Sequence, residues 1–299
     1  MSPLARPVAS RALHHNPNND GGIRPSQPIQ DLRPPGRSLP APPTPSPDHL
    51  SDRDLHILAT VARFRVMSGA QLRELYWPEG SPATRARLAR RGLAKLAKLE
   101  LLSPLARRVG GVRAGSAGLT FALGSSGQRL LAAGSPARRV RRPHTPGVRH
   151  LAHTLAVAQL YVDLKVQHPR AELLAFDPEP DCWCSYPGPY GALQLLKPDA
   201  YLKLGIGDYE LSWFLEQDMA TEAPVTIAGK ARRYLECWQT GTLQSERGVF
   251  PRTAWVAPDT ARAEIIEEAL RRLPTEARKL FVVTTAAEAA VLLTTEARS

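Results

Sequence analysis

The basic residues of this chain are concentrated in one segment, and that segment limits what the chain can fold into. Residues 85–149 contain fifteen Lys or Arg residues and a single acid, Glu100. The net charge of this segment is therefore +14, which exceeds the +11 of all 299 residues. Such a concentration of positive charge is an electrostatic footprint. Beside a mildly acidic remainder, it indicates a polyanionic partner, the alternative being a solvated basic surface without a partner.

The composition excludes several classes of protein. Apolar residues make up 43% of the chain, which is enough to form buried cores. No apolar run reaches the about 18 residues that a membrane span needs, and no N-terminal apolar segment precedes a small-residue cleavage site. Three cysteines are too few for a disulfide-based fold. We therefore expect a cytoplasmic protein without a membrane partner.

The chain is expected to divide into a tail, two folded domains and a linker. Residues 1–47 hold 12 of the 28 prolines and are predicted to be a disordered tail. Residues 48–134 are predicted to form a DNA-binding domain, and residues 135–149 a basic linker. Residues 150–299, with a net charge of −5, are predicted to form an α/β domain.

Three serine residues mark helix starts in the DNA-binding segment. Ser51 begins a capping box with Asp54, and the apolar spacing after it predicts a helix that ends near residue 65. Ser68 is expected to cap a second helix over residues 70–76. Ser81, followed by a proline at the first helical position, is expected to cap a third helix that ends near residue 100. A β-hairpin with a glycine- and arginine-rich tip is expected to follow. This order is that of a winged helix-turn-helix, whose third helix enters the major groove.

The third helix is predicted to have one apolar face and one basic face. Its apolar face comprises Leu88, Leu93, Leu96 and Leu99. The predicted DNA contacts are Ala83, Thr84, Arg87, Arg90, Arg91 and Lys98 on the helix, and Arg107, Arg108 and Arg113 on the hairpin. A helical bundle whose cations are only solvated is the alternative interpretation.

The second domain is predicted from alternating strand and helix patterns. A helix over residues 150–167 is followed by strand candidates at 172–176, 193–196, 199–204 and 209–215, a helix at 225–240, a strand at 253–257, a helix at 260–273 and a strand at 280–284. In outline this is α-β-β-β-α-β with a further helix and strand, which predicts a three-layer α/β domain.

Two acids are expected at the ends of neighbouring strands in this domain. Asp199 opens one strand and Glu216 ends the next, across a predicted hairpin turn, so their carboxylates can lie side by side. Such a pair can hold Mg²⁺, which activates water and stabilises charge on a phosphate. Lys230, early in the following helix, can place a cation over the same site. Asp199 and Glu216 are therefore candidate metal ligands, with Mg²⁺ as the cofactor if the site is active.

The order αβββαβ, with Pro198-Asp199 and then Glu216-Gln-Asp218, resembles the restriction-endonuclease-like fold, often written PD-(D/E)xK. The resemblance implies that the candidate catalytic residues are Asp199, Glu216, Asp218 and a migrated Lys230. Asp218 stands where the motif has its lysine, and this departure leaves enzymatic activity open. The expected fold is therefore an N-terminal winged helix-turn-helix followed by a restriction-endonuclease-like α/β domain.

Most of residues 50–260 resembles the replication-relaxation family. The resembling segments are Ser51–Leu58, Phe64–Val66 with Gln71-Leu72, His150–His153, Lys197–Ala200, Phe214–Asp218 and Lys230–Tyr234. That family pairs a winged helix with a nuclease-like domain and is found on plasmids and other mobile elements of bacteria. The resemblance implies that Glu-x-Asp is the usual form there, so that Asp218 is a family trait.

The leading hypothesis is a DNA-binding accessory protein of plasmid or mobile-element replication or mobilisation, with double-stranded DNA as its partner. A metal-dependent endonuclease that nicks DNA and a winged-helix transcriptional regulator are the alternatives. A relaxase or replication protein, and a second copy of the chain in a homodimer, are further candidate partners. Two histidines and two cysteines can in principle bind Zn²⁺, although their spacing is not that of a zinc ribbon; they are His150, His153, Cys182 and Cys184.

Overall fold

The computed structural model describes residues 49–105, 119–133, 147–167, 171–188 and 191–295. All of these residues belong to the same compact unit. The predicted tail, most of the predicted linker and the hairpin arginines Arg107, Arg108 and Arg113 lie outside the described residues. Within the described ranges, none of the helices combines the length and apolar character that a membrane span requires.

The N-terminal elements begin with helix α1 (Asp52–Phe64), strand β1 (Val66–Ser68), helix α2 (Gly69–Tyr76) and helix α3 (Pro82–Lys98). As predicted, the side chains of Ser51, Ser68 and Ser81 each accept a hydrogen bond from the backbone amide three residues later. Each cap pairs an amide that the first turn would otherwise leave unsatisfied. The helix starts are therefore determined by residues within one turn of the cap.

A three-stranded antiparallel sheet completes this part of the fold. Strand β3 (Thr120–Leu123) is central, with β1 on one side and strand β2 (Leu102–Pro104) on the other. Helix α4 (Ser125–Ala132) follows β3. The sequence pattern does not predict β1, because three residues are too few to show an alternation of period two.

The central sheet of the α/β part has five strands, in the order β10 (Phe281–Thr285), β9 (Arg252–Ala257), β8 (Tyr209–Gln217), β7 (Ala200–Ile206) and β4 (Glu172–Pro178). Strand β4 pairs antiparallel with β7, and β7 pairs antiparallel with β8. Strands β9 and β10 continue the sheet in parallel with β8. The predicted strand at 193–196 forms, but outside this sheet: as β6 (Leu193–Leu196) it pairs only with β5 (Cys184–Pro187).

Helices cover both faces of the central sheet. Helix α5 (Val148–Gln167) and helix α10 (Ala289–Thr295) pack on one face. Helix α6 (Pro224–Gln239), helix α8 (Thr260–Leu270) and the short helices α7 (Thr242–Arg247) and α9 (Thr275–Arg278) share the core of the other face. The fold is therefore mixed α/β, and its α/β part has three layers, as the alternating patterns predict.

One apolar core joins the N-terminal elements to the α/β part. Phe64 at the end of α1 contacts the rings of Tyr161 on α5 and Phe176 on β4, with centroids 5.0 and 5.7 Å away. The Gln71 side chain of α2 donates a hydrogen bond to the backbone carbonyl of Leu155 on α5 at 2.8 Å. The domain boundaries proposed from sequence stay a prediction, but the apolar core does not stop at them.

Candidate functional site

The cations of α3 lie mostly on its exposed side. The exposed residues include the predicted DNA contacts Ala83, Arg87, Arg90, Arg91 and Lys98. None of these four cations forms an ion pair with another residue in the described ranges. The face is therefore a row of cations whose charge no described acid neutralises.

Other residues of α3 depart from the predicted faces. Leu88, expected on the apolar face, is 40% exposed. This prediction was wrong because the buried stripe of α3 is formed by Ala89, Leu93 and Leu96, and Leu88 lies about 100° around the helix from Ala89. Thr84, a predicted DNA contact, is half-buried and accepts a hydrogen bond from the Ser81 hydroxyl at 3.0 Å.

One cation of α3 is already paired within the fold. The Nζ of Lys95 lies 2.8 Å from a carboxylate oxygen of Asp54 in the α1 capping box. Burial raises the pKa of Asp54, but hydrogen bonds from Lys95 and Ser51 outweigh burial and lower it overall. Lys95 thus ties α3 to α1, and its contact with Asp54 competes with an external partner.

The backbone brings Asp199 and Glu216 to neighbouring positions. Ala200 on β7 opposes Leu215 on β8, so the residues one step further along, Asp199 and Glu216, face each other in register. Two hydrogen bonds join Asp199 to β8: its backbone amide donates to the Leu215 carbonyl, and its carboxylate accepts from the Gln217 amide at 2.7 Å. The juxtaposition of these two positions follows from the β7–β8 hairpin.

The carboxylate of Glu216 is buried and fully engaged by side chains of α6. One oxygen, Oε2, accepts from the Nζ of Lys230 at 3.1 Å, and the other, Oε1, accepts from the Tyr234 hydroxyl at 2.6 Å. Lys230 also lies 2.9 Å from Oε1 of Glu222. Lys230 and Tyr234 are one helical turn apart, so both reach the same carboxylate. That spacing was a sequence signal for Tyr234, which we had not assigned to the site.

These contacts set the charges in the cluster. Burial raises the pKa of Glu216 to about 7, and the charge of Asp199 adds to the rise while Lys230 and Tyr234 oppose it. Burial lowers the pKa of Lys230, but Glu216, Glu222 and Asp199 together raise it above its usual value. The ammonium group therefore stays charged at neutral pH.

Asp218 is held by a different partner. Its two carboxylate oxygens accept from the Nε and Nη2 of Arg262 on α8, each at 2.7 Å. One of these oxygens also accepts from the Ala220 amide at 2.6 Å. Arg262 is 44 residues further along the chain, and no local pattern identifies it. The residue in the lysine position of the motif is thus part of a closed pair with a guanidinium.

The carboxylate of Asp199 contacts His153 and lines a pocket, in addition to its electrostatic effect on Lys230. A carboxylate oxygen of Asp199 lies 3.0 Å from Nε2 of His153 on α5. Burial lowers the pKa of His153, but the hydrogen bond and charge of Asp199 raise it overall. Asp199 and His153 line a small, partly open pocket together with Arg65 and Glu179. His153 therefore acts here as a partner of Asp199.

The donors present fit a divalent cation poorly. Both oxygens of Glu216 accept hydrogen bonds from α6, so a metal bound there would have to lie beside the ammonium of Lys230 or the hydroxyl of Tyr234. Across the described ranges, no group of three or more His, Cys, Asp or Glu side chains is arranged to hold a metal ion. The zinc combination is not assembled either, because Cys182 donates its thiol hydrogen to the Pro198 carbonyl and His153 contacts Asp199.

The fold and these sites together define a mixed α/β protein with an exposed basic helix and an internally paired acidic cluster. The family model described as replication-relaxation matches residues 58–253. The match covers more than half of the chain and includes both α3 and the segment from Asp199 to Lys230. The chain belongs to the replication-relaxation family, as its sequence resemblance indicated. No curated protein and no solved structure matches it.

Proposed function

We propose that the protein binds duplex DNA through the exposed face of α3 and acts as an accessory protein in the replication or mobilisation of a plasmid or other mobile element. The observation that carries the proposal is the row of four exposed cations on α3 that no described acid pairs, namely Arg87, Arg90, Arg91 and Lys98. Membership of the replication-relaxation family supports the biological setting, since the family suggests a role in handling such elements.

The arrangement of the N-terminal elements supports a winged helix-turn-helix. Helices α2 and α3 follow one another after α1, and β2 and β3 form the hairpin that would carry the wing. In this class the second helix of the motif enters the major groove with its N-terminal residues towards the bases. The exposed Ala83 near the start of α3 leaves room for such an approach, and the cations behind it are placed for phosphates.

The packing of α3 supports a rigid presentation of this face. Leu93 and Leu96 are buried, and the Nε of Arg85 donates to the Trp77 carbonyl at 2.8 Å. Gly92 lies against the Trp77 ring so closely that an added Cβ would be 2.6 Å from it. A helix held on its inner side by these contacts keeps its outer cations at fixed spacing.

We further propose that the α/β part is a restriction-endonuclease-like scaffold. The order α5-β4-β7-β8-α6-β9 supports this assignment, because it repeats the αβββαβ core of that fold. The motif position that holds the lysine of active nucleases is occupied by Asp218, which is paired with Arg262. This position therefore offers no free cation to a phosphate, which supports a scaffold rather than a nuclease. A relaxase or replication protein of the same element, and a homodimer, stay predicted partners.

The test is the triple charge reversal Arg87→Glu, Arg90→Glu and Arg91→Glu in the full chain. DNA affinity is measured by fluorescence anisotropy on a labelled duplex over a range of salt concentrations. We expect the variant to lose at least about a hundredfold in affinity. Each phosphate contact contributes about −0.9 to the slope of log affinity against log salt, so the slope should become shallower by about 2.7.

The matched control reverses three exposed cations of the α/β part, Arg232, Arg233 and Arg272, and so changes the net charge equally. We expect this control to retain affinity within a few-fold and to keep the salt slope of the wild type. Equal losses in both variants would mean that binding follows total charge. Unchanged binding by the α3 variant would contradict the assignment of this face.

A further inference from the structure

Three carboxylates act on one side-chain cation beneath α6. The Nζ of Lys230 lies 3.1 Å from Glu216 and 2.9 Å from Glu222, which places it between two acids from different segments. The charge of Asp199 also favours its protonated form. The Trp255 ring, on the neighbouring strand, is 5.9 Å from the ammonium and presents its π-electrons to a cation.

Side chains of α6 donate a hydrogen bond to each oxygen of Glu216. Tyr234, on the same face of α6 as Lys230, donates to the oxygen that Lys230 does not use. Divalent ions such as Mg²⁺ need several oxygen ligands and retain waters, whereas the groups that contact the Glu216 oxygens here are an ammonium and a hydroxyl donor. A buried carboxylate with only 3% of its residue surface exposed cannot turn outward to meet such an ion.

The neighbouring acids are neutralised in the same way. Asp218 is matched by Arg262 and Asp199 by His153. Each acid that a nuclease of this fold would use is therefore paired with a basic side chain from a helix packed on the sheet: Glu216 with Lys230, Asp218 with Arg262 and Asp199 with His153. With His153 protonated, three cations face the four acids Asp199, Glu216, Asp218 and Glu222, so most of the negative charge of the cluster is compensated without an added ion.

We propose that Lys230 is the resident cation of this cluster and occupies the position that a divalent metal would otherwise take, so that the acids fasten α6 to the sheet and bind no metal. The inference does not depend on DNA binding by α3, and its failure would leave that proposal standing. It assigns Lys230 a positioning role: it holds Glu216 and Glu222 in place.

The test measures Mn²⁺ binding to the full chain by electron paramagnetic resonance and thermal stability by differential scanning fluorimetry. The wild type should bind no stoichiometric Mn²⁺, and its Tm should not rise saturably with the ion. In Lys230→Ala the carboxylates of Glu216 and Glu222 lose their shared cation. This variant should have a lower Tm, bind Mn²⁺ stoichiometrically and regain part of its Tm when the ion is added.

Two further variants make each outcome decisive. Adding Glu216→Gln to Lys230→Ala should abolish the Mn²⁺ response, because it removes the central carboxylate. Lys230→Arg keeps a cation and should show a Tm within a few degrees of the wild type with no Mn²⁺ binding. If Lys230→Ala does not fold, the wild type and Lys230→Arg decide.

Two results would overturn the proposal. Stoichiometric Mn²⁺ binding by the wild type that Glu216→Gln abolishes would show a metal site in the presence of Lys230. A folded Lys230→Ala that binds no Mn²⁺ would show that the lysine does not hold a cation position. Either result would leave Lys230 as an ordinary surface-proximal partner of Glu222.

Discussion

The pair of Asp218 and Arg262 gives the sharpest prediction about stability. Its side chains are 1% and 10% exposed, and two 2.7 Å hydrogen bonds join the carboxylate to the guanidinium. The pair connects the end of β8 to α8. In Asp218→Ala the guanidinium of Arg262 stays buried without its carboxylate. Breaking a buried ion pair by removing one partner costs about 3–5 kcal/mol, and we expect a loss of this size in the free energy of unfolding.

The chain provides a matched comparison on its surface. Lys203 and Glu210, on the β7–β8 hairpin, also have a nitrogen–oxygen distance of 2.7 Å, but their side chains are 35% and 61% exposed. Exposed ion pairs contribute little to stability, so Glu210→Ala should lower the free energy of unfolding far less than Asp218→Ala does. Because the shortest distances are equal, the difference between the two variants reflects burial together with the additional hydrogen bonds of Asp218.

The assay is urea denaturation of the full chain, followed by tryptophan fluorescence and far-ultraviolet circular dichroism. Replacing Arg262 with leucine in the Asp218→Ala background removes the unpaired charge and should recover much of the loss. A cost for Asp218→Ala no larger than that for Glu210→Ala would refute the argument. So would a double variant less stable than Asp218→Ala alone.

Two smaller perturbations test the N-terminal part. Gly92→Ala should destabilise the protein, because the new Cβ would lie 2.6 Å from the Trp77 ring. The control Gly229→Ala on α6 meets nothing within 4 Å and should stabilise the protein by about 0.5–1 kcal/mol. The two urea unfolding midpoints should therefore shift in opposite directions, and shifts in the same direction would contradict the prediction. The pKa of Asp54 is lowered from its ordinary 3.8, so its contribution to stability is complete above that pH and is lost as the pH falls through the folded-state value. The Tm difference between wild type and Asp54→Asn should therefore shrink below about pH 4, and a difference that stays constant there would show that the Asp54 charge is not responsible.

Much of the fold was predictable because its signals are local. The serine caps of α1, α2 and α3 were identified from a few neighbouring residues, and the structure confirms each of them. The long strands β7 and β8 were found within two residues of their observed ends. Elements that carry few residues were missed, among them β1, α9 and α10, since short segments show too little periodicity. The strand at 193–196 was predicted, but its pairing with β5 instead of the central sheet depends on tertiary packing, which the local pattern does not encode.

In the candidate site, too, the contacts between residues of neighbouring elements were predictable and the contacts with distant helices were not. The approach of Asp199 to Glu216 follows from a hairpin, and the link from Lys230 to Glu216 from the helix that comes next. The partners that decide the chemistry, Arg262 and His153, lie 44 and 46 residues from the acids they bind. Their choice depends on how α8 and α5 pack on the sheet, and no spacing in the sequence encodes that packing.

The central claim, that α3 is the surface that meets DNA, is tested most directly by photo-crosslinking. The photoreactive residue p-benzoylphenylalanine replaces Ala94, which is exposed on α3 on the side of Arg87 and Arg91, or Ala261, which is exposed on α8 as the control. Both full-length variants are irradiated with the same labelled duplex at low salt. We predict a covalent protein–DNA product from position 94 that competitor DNA and high salt suppress, and none from position 261. A product from position 261 with none from position 94 would contradict the claim.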